Sequence, residues 1–366
     1  RRDLDGVSPV DQTWTIAPSV LTGTVYFWEV NNGNVVRLKP GDTAPEDFLD
    51  RGGRCVACHS AAAQGSRIIA AYDGDVSPWG VWDAAEGDSL YDSNQHSGFT
   101  AISPDGELVA WGQSDAPASL TVSRYDSTAA LGSITPTSGW PVHPAWSKDG
   151  TKIAFASRTD GNWLEFFTSN LWISDVDPVS GVVTNPHLIV ANDPGNGLGV
   201  VTFPTFSPDS SRIAFLRSNA AETRGARGEI WMANADGTNQ VRLDALNGST
   251  TLQDEQAQAT FEPTFLPVTV GGYSWLIVVS ERMYGNTLTS RNNSTDYNTC
   301  SRPQDNPKCR QKQLWVAAND NNAPAGTDPS HPAFWLPGQS LTNHNMRGEW
   351  VLSPCKQLGD ECSAGF

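Results

Sequence analysis

The chain has 366 residues, a formal net charge of −16 and a pI of about 4.7. Such an acidic surface would repel nucleic-acid phosphates, so nucleic acid is excluded as a partner and a basic protein partner is favoured. No apolar run approaches the length of a membrane span; the longest, 275–279, is strand-sized. We therefore predict no transmembrane segment.

The N-terminal part of the chain predicts an arm followed by a hairpin. Residues 1–22 are interpreted as the arm. Two short strand patterns follow, VYFWEV at 25–30 and NVVRL at 34–38, and Asn31-Asn32-Gly33 between them is a hairpin turn. The chain begins with Arg1 rather than Met, which we interpret as removal of a signal peptide.

The motif Cys55-Val56-Ala57-Cys58-His59 is the strongest chemical signal in the sequence. Two thiols three residues apart, with a histidine directly after, are typical of covalent haem c attachment. The thiols add to the haem vinyl groups, and the histidine then binds the iron. We predict one covalent haem c held by Cys55, Cys58 and His59.

Three other interpretations of this motif stay open at this point. A redox dithiol would lie in a βαβ unit, and the chain shows no helix-length periodic segment. A structural zinc site would need a second C-x-x-C pair, and the other four cysteines do not form one. The third alternative is a purely structural role.

An internal repeat organises the remaining chain. ISPDGELVAWG at 102–112, WSKDGTKIAFAS at 146–157 and FSPDSSRIAFLR at 206–217 each place a Ser-x-Asp turn before a short β-rich strand. Further strands follow, several of them centred on tryptophan. Four-stranded units of this size are the blades of a β-propeller. We predict an all-β fold of such antiparallel blades.

The repeat resembles that of the TolB-like six-bladed β-propellers, whose strand pair reads P-x-W-S-P-D-G-x-x-I-A-F. The resemblance covers roughly residues 50–354 and implies six blades, with starts near Cys58, His96, Trp140, Val200 and Thr260. The last copy, 346–354, stops early. We expect the hairpin at 25–38 to complete its blade, so that both chain ends close the ring and leave no open sheet edge. The predicted propeller spans residues 23–354.

Superposing the repeats predicts where the haem lies. Cys58 falls on Phe203 and His59 on Pro204, at the entry of an innermost strand, so the haem is expected to cap or plug one mouth of the channel. Met346 is the preferred sixth iron ligand, with His344, Met283 and His143 as alternatives.

The remaining four cysteines indicate an oxidising compartment. We predict the local disulfides Cys300–Cys309 and Cys355–Cys362, the second within a C-terminal tail at 355–366. Haem c is also attached outside the cytoplasm. The protein is therefore expected to be periplasmic or extracellular.

Three functions are compatible with these features. The first is single-electron transfer by a mono-haem c-type cytochrome with a basic redox partner. The second is a haem-dependent oxidoreductase or peroxidase with an open distal site. The third is a protein-binding propeller with a structural haem, since TolB-like propellers are similar to known interaction platforms. The sequence leaves homo-oligomerisation and the redox partner open.

Overall fold

The computed structural model describes residues 23–39, 41–49, 51–73, 77–112, 119–221, 226–250, 252, 258–282, 312–340 and 343–352. These residues form six four-stranded antiparallel sheets, the blades of a propeller. The all-β six-bladed prediction is confirmed. The predicted arm 1–22 and tail 355–366, and the cysteines of both predicted disulfides, lie outside the described residues.

The blades follow one another along the chain, each innermost strand first. Blade 1 contains β4 (Val56–Ala61), β5 (Arg67–Tyr72), β6 (Ser77–Asp83) and β7 (Ser89–Ser97). Blade 2 contains β8 (Ala101–Ile102), β9 (Leu108–Trp111), β10 (Leu120–Arg124) and β11 (Gly132–Ile134). Blade 3 contains β12 (Trp140–Trp146), β13 (Lys152–Arg158), β14 (Ser169–Val176) and β15 (Val183–Val190).

Blades 4 to 6 complete the ring. Blade 4 contains β16 (Val200–Phe206), β17 (Arg212–Ser218), β18 (Gly228–Asn234) and β19 (Val241–Arg242), followed by the one-turn helix α1 (Asp244–Asn247). Blade 5 contains β20 (Thr260–Phe265), β21 (Tyr273–Ser280), β22 (Gln313–Asp320) and β23 (Phe334–Trp335). Blade 6 combines β24 (Asn345–Val351) with β1 (Thr24–Glu29), β2 (Asn34–Leu38) and β3 (Glu46–Asp47).

The predicted blade starts are correct with one exception. His96 belongs to β7, the outermost strand of blade 1, and blade 2 begins at Ala101. The sequence pattern misplaced this boundary because β7 is a nine-residue strand with a mostly exposed, polar sequence. No helix among the described residues is long and apolar enough to cross a membrane.

The Ser-x-Asp turns are stabilised by their own side chains. In blade 3 the Ser147 hydroxyl donates to Asp149 at 2.6 Å and accepts the backbone N–H of Lys152 at 2.9 Å. The turns that begin at Ser103 and Ser207 repeat this pattern. Each serine satisfies a backbone donor where the chain reverses, which explains why the motif recurs.

Blade 6 closes the ring as predicted. β24 pairs with β1 in antiparallel register, with Val25 opposite Trp350 and Tyr26 opposite Glu349. Trp350 is 5% exposed and packs in an apolar cluster with Phe27 and residues of blade 5. The closure therefore rests on buried apolar area as well as on strand hydrogen bonds.

We expect Trp350→Ala to lower the free energy of unfolding by about 3–5 kcal/mol, because it empties a large buried volume at the closing strand. Urea unfolding monitored by circular dichroism measures this. The control is Phe334→Ala, which removes an aromatic ring that is 38% exposed on an outermost strand. Equal losses for the two variants would contradict a closure that depends on Trp350.

Candidate functional site

The innermost strands share an unusual backbone feature. Five of them contain a non-glycine residue with φ near +50° at the same point, namely Cys58, His143, Phe203, Glu262 and Arg347. The strand register shifts at each of these points, as in a β-bulge. The superposition of Cys58 on Phe203, predicted from the repeat, is confirmed by this shared geometry.

Side chains from these positions meet at the propeller axis. The six equivalent residues are called the axial ring: Cys58, Phe99, His143, Phe203, Glu262 and Arg347. His143 stacks on Phe203 with ring centroids 4.1 Å apart, and Phe99 meets His143 edge-on at 4.2 Å. The Arg347 guanidinium lies 5.2 Å from the Phe99 ring centre. Aromatic rings and one cation therefore fill the axis.

Cys55 lies before β4, at the mouth where the innermost strands begin. The hairpin turn of blade 6 packs against it, because Val56 N–H donates to the Gly33 carbonyl at 2.9 Å. A Cβ on Gly33, whose φ is +61°, would lie 3.0 Å from Cys55 Sγ. Gly33 is thus required both by its conformation and by this close approach. The Cys55 thiol is half-buried and free.

Cys58 occupies a different environment from Cys55. It is a member of the axial ring, and its thiol is also free. Burial raises its pKa to about 12, a shift that the charge of Arg347 opposes and that of Glu262 reinforces. Burial also raises the pKa of Cys55. Because reactive dithiols need a lowered thiol pKa, this environment does not favour the redox-dithiol interpretation.

His59 is fully buried, yet it is weakly held. Its Nε2 lies 3.4 Å from the Tyr26 carbonyl oxygen, which is long for a hydrogen bond, and its buried Nδ1 has no partner. Burial, together with the nearby positive charge of Arg347, lowers the His59 pKa to about 3. The Arg347 Nε donates to the His59 carbonyl at 2.6 Å, so the backbone is better anchored than the ring.

The propeller fold itself does not require a histidine at this point. The equivalent residues in the other five blades are Thr100, Pro144, Pro204, Pro263 and Gly348. A buried imidazole with an unbonded nitrogen costs stability relative to such residues. This cost indicates that the histidine serves something other than the packing of the blade.

The channel beside the axial ring contains a small polar cavity of about 50 Å³. Its lining includes Ser60, Lys148, Glu262 and Glu349. Burial raises the pKa of both glutamates and lowers that of Lys148. At roughly 10–15 Å³ per water, the cavity holds a few water molecules and no larger cofactor.

The residues fit a c-type haem in the chemistry of their donors. Two free thiols three residues apart precede an imidazole with an unbonded ring nitrogen. The packing of the channel restricts where a haem could lie, because a porphyrin is far larger than the channel cavity. A haem held by Cys55, Cys58 and His59 would therefore not fit inside that cavity.

The four candidates for the sixth iron ligand lie in different surroundings. Met346 pairs with Trp28 across the ring closure and packs against the apolar cluster that contains Trp350. His344 Nδ1 accepts the backbone N–H of Lys312 at 3.0 Å. His143 Nδ1 lies 2.6 Å from Thr202 Oγ1, and its buried Nε2 has no partner. Met283 lies outside the described residues.

Sequence reasoning missed the charged members of the site. Arg347 acts on Cys58, His59 and Glu262 at once, and Glu262 carries a buried carboxylate oxygen without a partner. The signal was present in the repeat, because both residues align with Cys58 once the five innermost strands are superposed. Among the described residues no group of three or more His, Cys, Asp or Glu side chains could hold a metal ion.

The chain is similar to known proteins in fold alone. No family model and no curated protein matches the chain. A nidogen–laminin complex matches with a TM-score of 0.49 at 14% identity over 70% of this chain and 89% of that one. A putative TolB from Agrobacterium tumefaciens gives 0.45 at 14% identity, covering 90% of this chain and 97% of that one.

Hydrazine synthase from Kuenenia stuttgartiensis also matches, with a TM-score of 0.42 at 11% identity, covering 90% of this chain and all of that one. Similarity at this level carries no functional argument. The fold assignment therefore rests on the sheet topology of the chain itself.

The two motif thiols should differ in reactivity when the chain is produced without haem. A thiol with a pKa of about 12 is ionised to roughly 1 part in 10⁴ at pH 8, so Cys58 should resist iodoacetamide while Cys55 reacts first. Mass-spectrometric mapping of the labelled peptide measures this. Urea-unfolded chain, in which both thiols should react alike, is the control. Equal rates in the folded chain would contradict the raised pKa of Cys58.

His59 should make the haem-free chain acid-sensitive. Its folded pKa of about 3 lies below the ordinary 6.5, so its contribution to stability is present above pH 6.5 and is lost as the pH falls toward 3. Between pH 7 and pH 4 the parent should lose about 3 kcal/mol relative to His59→Thr, at 1.36 kcal/mol per pH unit. Threonine is the residue of blade 2 at this position, Thr100.

Urea unfolding of both proteins at several pH values checks this prediction. The buried glutamates titrate in parent and variant alike, so the difference between the two curves isolates His59. A pH-independent difference would show that the His59 pKa is not lowered.

Proposed function

We propose that this protein is an exported mono-haem c-type cytochrome built on a β-propeller, which passes single electrons to a redox partner. The observation that carries the proposal is the buried His59, which directly follows two free thiols and stands where other blades have proline, threonine or glycine. Neither packing nor hydrogen bonding accounts for this histidine.

The residues of the motif would have distinct tasks. Cys55 and Cys58 would supply the two thioether attachments, and His59 would supply an imidazole nitrogen to the iron. When bound, a haem of this type supplies a one-electron Fe(III)/Fe(II) couple. The chain would hold His59 in place mainly through its backbone, which Arg347 anchors by the 2.6 Å hydrogen bond to the His59 carbonyl.

Both signs of charge lie beside the motif. Arg51 and Arg54 flank Cys55 at the mouth, and Arg54 is paired with Asp73 at 2.8 Å. The net charge of −16 for the whole chain favours a basic redox partner.

The order of assembly follows from the burial of the motif. His59 is fully buried and Cys58 is half-buried once β24 closes the ring, and the Cys58 thiol is then almost entirely protonated. Attachment would therefore precede ring closure. Attachment outside the cytoplasm, before folding, is consistent with the proposed periplasmic or extracellular location.

The test is export of the full chain in a host with haem c maturation machinery, followed by mass spectrometry of the denatured protein. A covalent tetrapyrrole on the peptide that contains Cys55 and Cys58 is expected, and its loss in the Cys55→Ala, Cys58→Ala double variant. The control is Cys300→Ala, which should retain the haem. A denatured chain without added mass would overturn the proposal.

Spectra of the same protein decide between the carrier and an oxidoreductase. A low-spin, six-coordinate iron that changes to high-spin in Met346→Ala is expected for a carrier with methionine as sixth ligand. Rapid binding of carbon monoxide or cyanide by the parent would instead indicate an open distal site and an enzyme. A spectrum unchanged by Met346→Ala, with no ligand binding, would assign the sixth position to another residue, such as His143 or His344.

A further inference from the structure

A second, larger cavity lies away from the motif, on blade 4. Its volume is about 730 Å³, within the range of small-molecule sites. It opens at the end of the ring where the innermost strands begin, between the segment that follows β15 and the face of β17, β18 and β19. Its lining consists mostly of charged residues and amides, with one tryptophan, one leucine and one glycine.

The wall of this cavity is formed by paired strands of blade 4 rather than by loops alone. Strand pairing places Glu229 opposite Arg217 and Arg242 opposite Trp231, so all four share one face of the blade. The Arg217 guanidinium lies 5.1 Å from the Trp231 ring centre. Its Nη2 donates to Gln240 at 2.8 Å, which fixes both side chains.

Burial removes most of the water that would otherwise hydrate the Arg217 guanidinium. It is only 7% exposed, and its buried Nε has no hydrogen-bond partner. Burial lowers its pKa from the ordinary value for arginine. No acidic side chain within the described residues forms an ion pair with Arg217. A buried guanidinium with an unbonded nitrogen favours the binding of a ligand that carries a negatively charged group.

A second cation faces the same cavity. The Arg227 side chain is exposed, and within the part of the chain that the structure describes its guanidinium has no partner. Its backbone is fixed, because the Arg227 N–H donates to Asn219 Oδ1 at 2.7 Å. A guanidinium without a partner in a cavity is suited to bidentate recognition of a carboxylate.

The remaining lining narrows the class of ligand. Asp193 and Glu229 would repel a multiply charged phosphate, yet they accept hydrogen bonds from hydroxyl groups. Asn196, Gln240 and Gln258 offer amides that both donate and accept. The half-buried Trp231 provides a flat apolar surface for a ring. Together these groups match a hydroxyl-rich ring with one carboxylate.

We propose that this cavity binds an acidic saccharide through a uronic acid ring that carries one carboxylate. Arg227 contacts the carboxylate, Trp231 contacts the face of a sugar ring, and the amides contact hydroxyl groups. The site is independent of the motif at Cys55, so its test does not depend on bound haem.

The test is calorimetric titration of the full chain with methyl galacturonoside, which has one carboxylate, and with its methyl ester, which has the same ring without charge. The acid is expected to bind, and the ester to bind roughly tenfold or more weakly, because it lacks the charge-assisted hydrogen bonds to arginine. Arg227→Ala should reduce the affinity for the acid to that for the ester and leave the ester unaffected. Trp231→Leu should weaken both.

Two controls keep the proposal falsifiable. Arg124→Ala removes a half-exposed arginine from blade 2 and should change neither affinity. Circular dichroism shows whether each variant is folded. Because Arg227 is exposed, the Arg227→Ala variant should fold like the parent. No binding of methyl galacturonoside, or binding that Arg227→Ala leaves unchanged, would overturn the proposal. So would Arg227-dependent binding of a nucleoside diphosphate or an acidic peptide in place of the saccharide.

Discussion

The left-handed residue in five of the six innermost strands is the constraint on which the site depends. A φ near +50° is uncommon for residues other than glycine, asparagine and aspartate, and it persists here because flanking strand pairs fix it. The bulge turns one side chain of each of these five blades into contact with its neighbours at the axis. A single backbone feature, repeated around the ring, thus brings together residues that are far apart in sequence.

Arg347 connects the ring closure to the motif. It lies on β24, the strand that completes blade 6, and its Nε donates to the carbonyl of His59 in blade 1. Its charge also offsets the desolvation of Glu262 and Cys58, which face it in the channel. The last strand to join the sheet therefore supplies the cation of the axis, so folding of the C-terminal strand and the electrostatics of the site are coupled.

The fold was predictable because the same turn and strand pattern recurs along the chain. Ser147 and its equivalents carry the turn that starts each strand pair, and superposing the repeats placed Cys58 and His59 correctly on an innermost strand. The environment of these residues could not be predicted in this way. The burial of His59 depends on Tyr26, and the pKa of Cys58 depends on Arg347, contacts that exist only after the two chain ends meet. The cavity on blade 4 was missed because strand pairing, not sequence proximity, assembles Arg217, Glu229 and Trp231.

Comparison of equivalent positions between blades distinguishes residues that stabilise the fold from residues that destabilise it. Position 59 accepts proline, glycine or threonine elsewhere in the ring, so the propeller sets no demand for an imidazole there. Arg217 is similar, because a buried, incompletely bonded guanidinium gives the sheet less than an apolar side chain would. Both residues carry an unbonded polar atom in a buried position, and both lie toward the end of the ring where the innermost strands begin. At position 59 the other blades avoid this cost, which is why His59, rather than Arg217, carries the proposal of haem attachment.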